Sequence, residues 1–139
     1  MMVFVDTSAL LAILDADDAN HGEAREVWQA LLSRDATLLC TNYVLLETFA
    51  LVQHRLGLEA LSTFQSDVAP VLKIRWVDAQ VHAAAVAALL TARRRKLSLV
   101  DCVSFEIARR SGIERAFAFD RHFAEQGFQC LPGSGQETL

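Results

Sequence analysis

Met1-Met2-Val3-Phe4-Val5-Asp6-Thr7-Ser8-Ala9-Leu10 opens the chain with a short apolar run that ends on a carboxylate and passes at once into hydroxyl residues. Residues 3–5 read as a strand, short and continuously apolar, of the kind buried on both faces. Thr7 or Ser8 can cap a helix from 9 to about 15. The same phrasing recurs. Asn20 can cap a helix in which Ala24, Val27, Trp28, Leu31 and Leu32 stand at helical spacing. Residues 37–41 form a second strand, and Thr41 or Asn42 caps a helix to about Leu56 that Gly57 stops. A shorter helix covers 58 to about 68, and a third strand covers 74–77. Asp78 caps a long helix to about Arg95. Ser98 caps another through Arg110, ending at Gly112. Residues 116–119 are a fourth strand and 128–131 a short fifth.

Strands separated by helices imply right-handed βαβ units. The expected fold is therefore α/β, a three-layer α/β/α domain with a central parallel sheet of four to five strands. Its 139 residues and 15.4 kDa suit one domain, placed at 1–131, with 132–139 (Pro132-Gly133-Ser134-Gly135-Gln136-Glu137-Thr138-Leu139) as a flexible tail. A hydrophobic fraction of 53% supports a real core. No apolar stretch approaches the roughly 20 residues that span a bilayer, so no membrane partner is expected. The N-terminus lacks a basic segment before its apolar run and reads as a strand rather than a signal peptide. Cys40, Cys102 and Cys130 are odd in number and far apart, which argues against a disulfide framework or a zinc knuckle. They read as apolar residues in a reducing, cytoplasmic setting. A net charge of −4 and a pI near 5.5 exclude a generally basic nucleic-acid binder, though not a nuclease with an acidic metal site.

Four acids interrupt apolar runs: Asp6 after Val5, Glu47 within Tyr43-Val44-Leu45-Leu46-Glu47-Thr48-Phe49, Asp101 after Leu97-Ser98-Leu99-Val100, and Asp120 after Ala116-Phe117-Ala118-Phe119. A charge among buried side chains is costly unless it is paired or binds a cation, and no matching set of buried Lys or Arg stands beside them. In open parallel sheets ligands bind outside the carboxyl ends of the strands. Asp6 and Asp120 follow strands at that edge, and Glu47 and Asp101 sit early in helices that begin there, so all four can converge. Each acid also has a plainer reading. Asp6 could start a helix, although Thr7 and Ser8 make it unnecessary for that. Ser98-Leu99-Val100-Asp101 resembles a capping box, and Asp120-Arg121-His122 resembles a turn. Nothing local asks for Glu47. Two carboxylates about 6 Å apart repel by roughly 3 kcal/mol at an effective dielectric near 20, so a cluster of four must protonate, spread or bind cations. Oxygen-only ligands favour Mg²⁺ or Mn²⁺ over zinc. The four histidines show no ligand spacing, and His122 reads as a structural residue.

Val5-Asp6-Thr7-Ser8-Ala9-Leu10, Glu47 on its apolar helix, Leu97-Ser98-Leu99-Val100-Asp101-Cys102 and Phe119-Asp120-Arg121-His122-Phe123 occur in that order. In this set the chain resembles the PIN-domain ribonucleases, most closely the VapC-type toxins of bacterial toxin–antitoxin pairs. The resemblance spans nearly the whole domain. It implies a PIN-like fold and a Mg²⁺- or Mn²⁺-dependent endoribonuclease. Asp6, Glu47, Asp101 and Asp120 would be its catalytic, metal-binding quartet, with Asp6 and Asp101 the firmest ligands. It also implies an RNA substrate, a small antitoxin protein as partner and a homodimer. The helices expected at 23–32 and 43–56 carry more apolar side chains than one small core needs, which suits such interfaces.

Thr7 and Ser8 stand beside the quartet and could orient a water or a phosphate, or simply cap the helix. Arg93-Arg94-Arg95-Lys96 admits two readings, a solvated helix terminus suited to the dipole or an RNA-backbone track. A haloacid-type phosphatase would want a second Asp where Ser8 stands. A receiver domain would want paired acids after the first strand. The remaining alternatives are a housekeeping RNA-processing PIN nuclease and a non-catalytic PIN-fold binding module.

Overall fold

The computed structural model describes residues 1–133. The flexible tail expected at 132–139 therefore falls, from 134 onward, outside the described residues. Strand β1 (Met2–Val5) is followed by helices α1 (Thr7–Leu14) and α2 (His21–Ser33), then β2 (Thr37–Thr41). Helices α3 (Asn42–Leu56) and α4 (Leu58–Thr63) lead through a wide turn at Phe64–Val68 and a tight one at Ala69–Val71 into β3 (Lys73–Arg75). Then come α5 (Ala79–Ala92), α6 (Leu99–Arg110), β4 (Arg115–Phe117), α7 (His122–Glu125) and β5 (Gln129–Leu131).

The five strands lie in the order β3-β2-β1-β4-β5, and every neighbouring pair is parallel. The expected α/β sheet is thus present with five strands. The chain steps outward from β1 to β3, then back past β1 to β4 and β5, and with the right-handed crossovers usual for parallel strands this puts the connecting helices on opposite faces. Val3, Phe4 and Val5 are completely buried, as a central strand covered on both faces must be. Because the strand order reverses between β1 and β4, a crevice opens at their carboxyl ends.

An aromatic cluster holds one flank of that crevice. Phe123 of α7 is fully buried, 5.7 Å from Phe4 of β1, 5.0 Å from Phe105 of α6 and 5.6 Å from Phe128. It pins a short helix that periodicity could not reveal and fixes the turn just before it.

Several boundaries differ from expectation for identifiable reasons. The cap of α1 is Asp6, whose carboxylate accepts from the Ser8 N–H, and Thr7 is already helical. Helix α5 ends at Ala92 rather than near Arg95, because Arg93 turns left-handed at φ 52°. Arg93 is therefore the C-cap of α5, and Arg94, Arg95 and Lys96 lie in the linker just beyond that helix terminus. β3 stops at Arg75, since the Val77 N–H is taken by the Asn42 side chain at 2.8 Å. β4 stops at Phe117, since the Phe119 N–H is taken by Ser8 at 2.9 Å. Asn20 precedes α2 without a side-chain cap bond. Gly57 ends α3 as expected, with φ 91° and extended ψ, a conformation open mainly to glycine.

Candidate metal centre

Asp6 extends β1 by one residue, its N–H donating to the Phe117 carbonyl at 3.0 Å. Its side chain is 3% exposed. The Ser8 N–H and hydroxyl both donate to Asp6 Oδ2, at 3.1 and 2.6 Å. The same hydroxyl accepts from the Phe119 N–H. Ser8 thus ties the loop after β1 to the loop after β4 and aims Asp6 across the gap. Asp120 stands in that second loop, half-buried, with Oδ1 accepting from the His122 N–H at 3.0 Å.

Asp101 arrives from the first turn of α6. The capping box is real: Ser98 Oγ accepts from the Asp101 N–H at 3.0 Å, and Asp101 Oδ2 accepts from the Ser98 N–H at 3.0 Å. The capping box does not withdraw Asp101 from the cavity, whose wall its side chain also lines. The box fixes the rotamer that brings this carboxylate to the crevice. Carboxylate oxygens of Asp6, Asp101 and Asp120 lie within 4.8 Å of one another.

Glu47 projects from α3 into the same cavity but stands outside that tight trio. Thr7, buried at 4% exposure, accepts from the Thr48 hydroxyl at 3.3 Å, and its own hydroxyl stands near enough to Glu47 to favour the carboxylate. Neither Thr7 nor Ser8 caps a helix with its side chain; the Ser8 hydroxyl instead holds Asp6, and the Thr7 hydroxyl bonds Thr48 beside Glu47. The cavity measures about 330 Å³ and is lined by all four acids together with Lys96 and His122.

The electrostatics follow from this crowding. Burial pushes the Asp6 carboxyl up to about 8, with the Asp120 charge adding and the Ser8 bonds opposing. Asp101 is raised by burial, against the Ser98 bonds, with Asp120 adding. Glu47 is raised by burial, opposed by Thr7, with Asp101 and Asp120 adding. Asp6, Glu47 and Asp101, raised by burial and crowded against Asp120 with no ion pair to a Lys or Arg among the described residues, are suited to exchange protons for a cation. Donor atoms that are all oxygen suit a hard divalent ion such as Mg²⁺ or Mn²⁺. The residues present fit such an ion.

The basic block divides. Arg94 pairs with Glu125 at 3.0 Å, Arg93 and Arg95 are exposed, and Lys96 lines the acid cavity. His122, read from sequence as structural, also lines the cavity. Its Nδ1 is 3.4 Å from Glu125 without a hydrogen bond. The signal that could have found it was its position two residues after Asp120. The three cysteines are free, Cys40 and Cys102 buried and Cys130 half-buried, in keeping with apolar use; burial pushes the Cys40 thiol up to about 12. Among the described residues no helix is long and apolar enough to cross a membrane.

A family model described as PIN domain matches residues 3–129. The chain is 35% identical over 128 residues to the 23S rRNA-specific endonuclease VapC20 of Mycobacterium tuberculosis, covering 91% of this chain and 95% of that protein. The crystal structure of Mycobacterium tuberculosis VapC20, described as a sarcin–ricin loop cleaving toxin, superposes with a TM-score of 0.81 at 35% identity, over 91% of this chain and 95% of that one. VapBC2 from Rickettsia felis, bound to a DNA fragment from its promoter, shares the fold at a TM-score of 0.69 and 12% identity, over 94% of this chain and 97% of that one.

Proposed function

The chain belongs to the PIN-domain family, and from that premise we propose that it is a divalent-metal-dependent endoribonuclease, the toxin of a VapC-type toxin–antitoxin pair. The observation that carries this reading is the convergence of Asp6, Asp101 and Asp120 at the point where the strand order reverses, with Glu47 on the wall of the same cavity. The relative at 35% identity is named for cleavage of 23S rRNA. That RNA is the first substrate to assign to this chain.

In this reading Asp6 and Asp101 hold the ion, with Asp120 and Glu47 completing its surroundings directly or through water. A bound Mg²⁺ or Mn²⁺ would lower the pKa of a water and offset charge on the phosphoryl oxygens. Ser8 and the capping box keep two of the carboxylates in place, so little reorganisation is needed when RNA arrives. Thr7, tied to Thr48, stands beside Glu47 on the same wall. Either hydroxyl, having a second lone pair, can also orient a water.

The partner is an antitoxin with an apolar helix and a basic side chain. Leu46 on α3 is 72% exposed, and with Tyr43, Ala50 and Val100 it lines an apolar cleft of about 280 Å³ that shares Glu47 with the acid cavity. A helix laid there would bring an Arg or Lys within reach of the acids, neutralising them in place of metal. Exposed Leu32, Trp76 and Leu90 add apolar surface of the kind a homodimer covers. The encounter with RNA and antitoxin is placed in the cytoplasm, in line with the ribosomal RNA for which the 35% identical relative is named.

The test is incubation of purified protein with 23S rRNA in Mg²⁺ or Mn²⁺ and in EDTA, with cut positions mapped by primer extension. Discrete cleavage that needs the metal is expected. Cleavage that persists in EDTA would overturn the metal mechanism. An intact 23S rRNA, together with cleavage of a precursor RNA, would favour a housekeeping nuclease.

A further inference from the structure

The cavity holds a cation that the acid chemistry does not use. Of the four consecutive basic residues, only Lys96 lines it. Arg94 is committed to Glu125, and Arg93 spends its backbone on the left-handed turn that ends α5. Lys96 forms no ion pair among the described residues, although four carboxylates line the same cavity. An ammonium at the rim of an acid pocket that has not collapsed onto any carboxylate is free to receive an anion from outside.

Its backbone, by contrast, is fixed. The Leu97 N–H donates to the Arg94 carbonyl at 3.1 Å, closing a turn around Lys96. Leu97 is buried, and Ser98 opens the capping box that carries Asp101. On the other side the Arg94–Glu125 pair joins this linker to α7, which begins at His122 on the cavity wall. An exposed pair of this kind adds little energy, but it directs the linker. Lys96 is thus an anchored residue with a free stem, on the lining of the cavity that also carries Asp101 and Asp120.

We propose that Lys96 contacts an RNA phosphate at the mouth of the acid cavity and is the one member of the basic block that touches substrate within the site. The proposal rests on the endoribonuclease reading and deepens it. A phosphodiester approaching several carboxylates meets repulsion at short range, and a cation at the rim offsets it where the chain must enter. Arg93 and Arg95, outside the cavity, act only as diffuse charge.

The experiment compares wild type, Lys96→Ala, Lys96→Arg and Lys73→Ala. Lys73 is an exposed cation at the start of β3, at the opposite edge of the sheet. Binding of a fluorescein-labelled RNA hairpin is read by anisotropy, with Ca²⁺ in place of Mg²⁺, across a range of salt. Lys96→Ala should weaken binding about tenfold at low salt and lower the salt slope by about one. Lys96→Arg should keep the slope, and Lys73→Ala should match wild type. Melting temperatures close to wild type for all variants would show that folding is not the cause. Equal affinity and slope for Lys96→Ala and wild type would overturn the assignment, as would an equal loss in Lys73→Ala. A slope that depends on Lys96, in a protein that cuts no RNA in Mg²⁺, would count against the nuclease reading and leave the phosphate contact standing.

Discussion

The Ser8 hydroxyl donates to Asp6 Oδ2 at 2.6 Å while its own oxygen accepts from the Phe119 N–H at 2.9 Å, so one small side chain joins the two loops that carry Asp6 and Asp120. Ser8→Ala removes both bonds and leaves the Phe119 N–H without this partner. The expected cost is about 1–3 kcal/mol of stability, read by urea denaturation in EDTA. Cleavage should fall as well, because the distance between the loops is no longer held. Ser8→Ala with wild-type stability and activity would show that the bridge is incidental.

Phe123 transmits the core to the same site. It is fully buried between Phe4, Phe105 and Phe128, and α7, on which it sits, begins two residues after Asp120. Phe123→Leu keeps an apolar side chain but loses the ring contacts. It should cost roughly 1–3 kcal/mol and weaken the melting-temperature rise given by Mg²⁺. A variant that is destabilised yet keeps the full metal response would separate α7 packing from the placement of Asp120.

The sheet was legible because the runs that hold β1, β2 and β3 each lead to a residue whose side chain caps the next helix (Asp6, Thr41 and Asp78), whereas β4 and β5 were legible only from their apolar residues. The convergence of the acids was legible from topology: acids following strands of a parallel sheet share an edge. The details that failed were those in which one residue serves two ends. Asp6 was set aside as a cap because Thr7 and Ser8 could do the work, yet it caps α1 and faces the cavity at once. Four basic residues in a row looked equivalent, and only the left-handed turn at Arg93 and the Arg94–Glu125 pair separate Lys96 from the rest. Helix α7 has too few residues to show a period; its burial comes from Phe123 meeting rings distant in sequence.

The raised carboxyls give the metal-free protein an unusual pH response. Asp6 titrates near 8 in the folded chain against an ordinary value of 3.8, and Glu47 and Asp101 are also raised. Between those limits the folded state holds more protons than the unfolded one, so stability falls as pH rises. The slope is at most about 1.4 kcal/mol per pH unit for each such group. Melting temperature in EDTA should therefore decline from pH 5 to pH 8, and Asp6→Asn should flatten the decline. Mg²⁺ affinity should rise over the same window, because the ion displaces protons. A melting temperature that climbs from pH 5 to pH 8 in EDTA would contradict the clustering.

Asp6→Asn and Asp101→Asn separate the two duties that carboxylates perform here. At pH 8 in EDTA, Asp6→Asn removes a buried charge facing Asp120 and should raise the melting temperature, since each close carboxylate pair costs about 1–3 kcal/mol before solvent relaxes around it. Asp101→Asn relieves the same repulsion but takes a negative charge from the first turn of α6, where it is worth about 0.3–1 kcal/mol against the helix dipole. Its gain should be smaller, although the amide oxygen can still accept from the Ser98 N–H. Both variants should lose cleavage, because a neutral amide is a poor ligand for a hard cation. Mg²⁺ should raise the melting temperature of the wild type and barely move either variant. Melting curves of the three proteins in EDTA and in Mg²⁺ decide the matter. If both variants melt below wild type in EDTA and still respond to Mg²⁺ as it does, the ion binds elsewhere and the acids at the β1–β4 crevice serve only the fold.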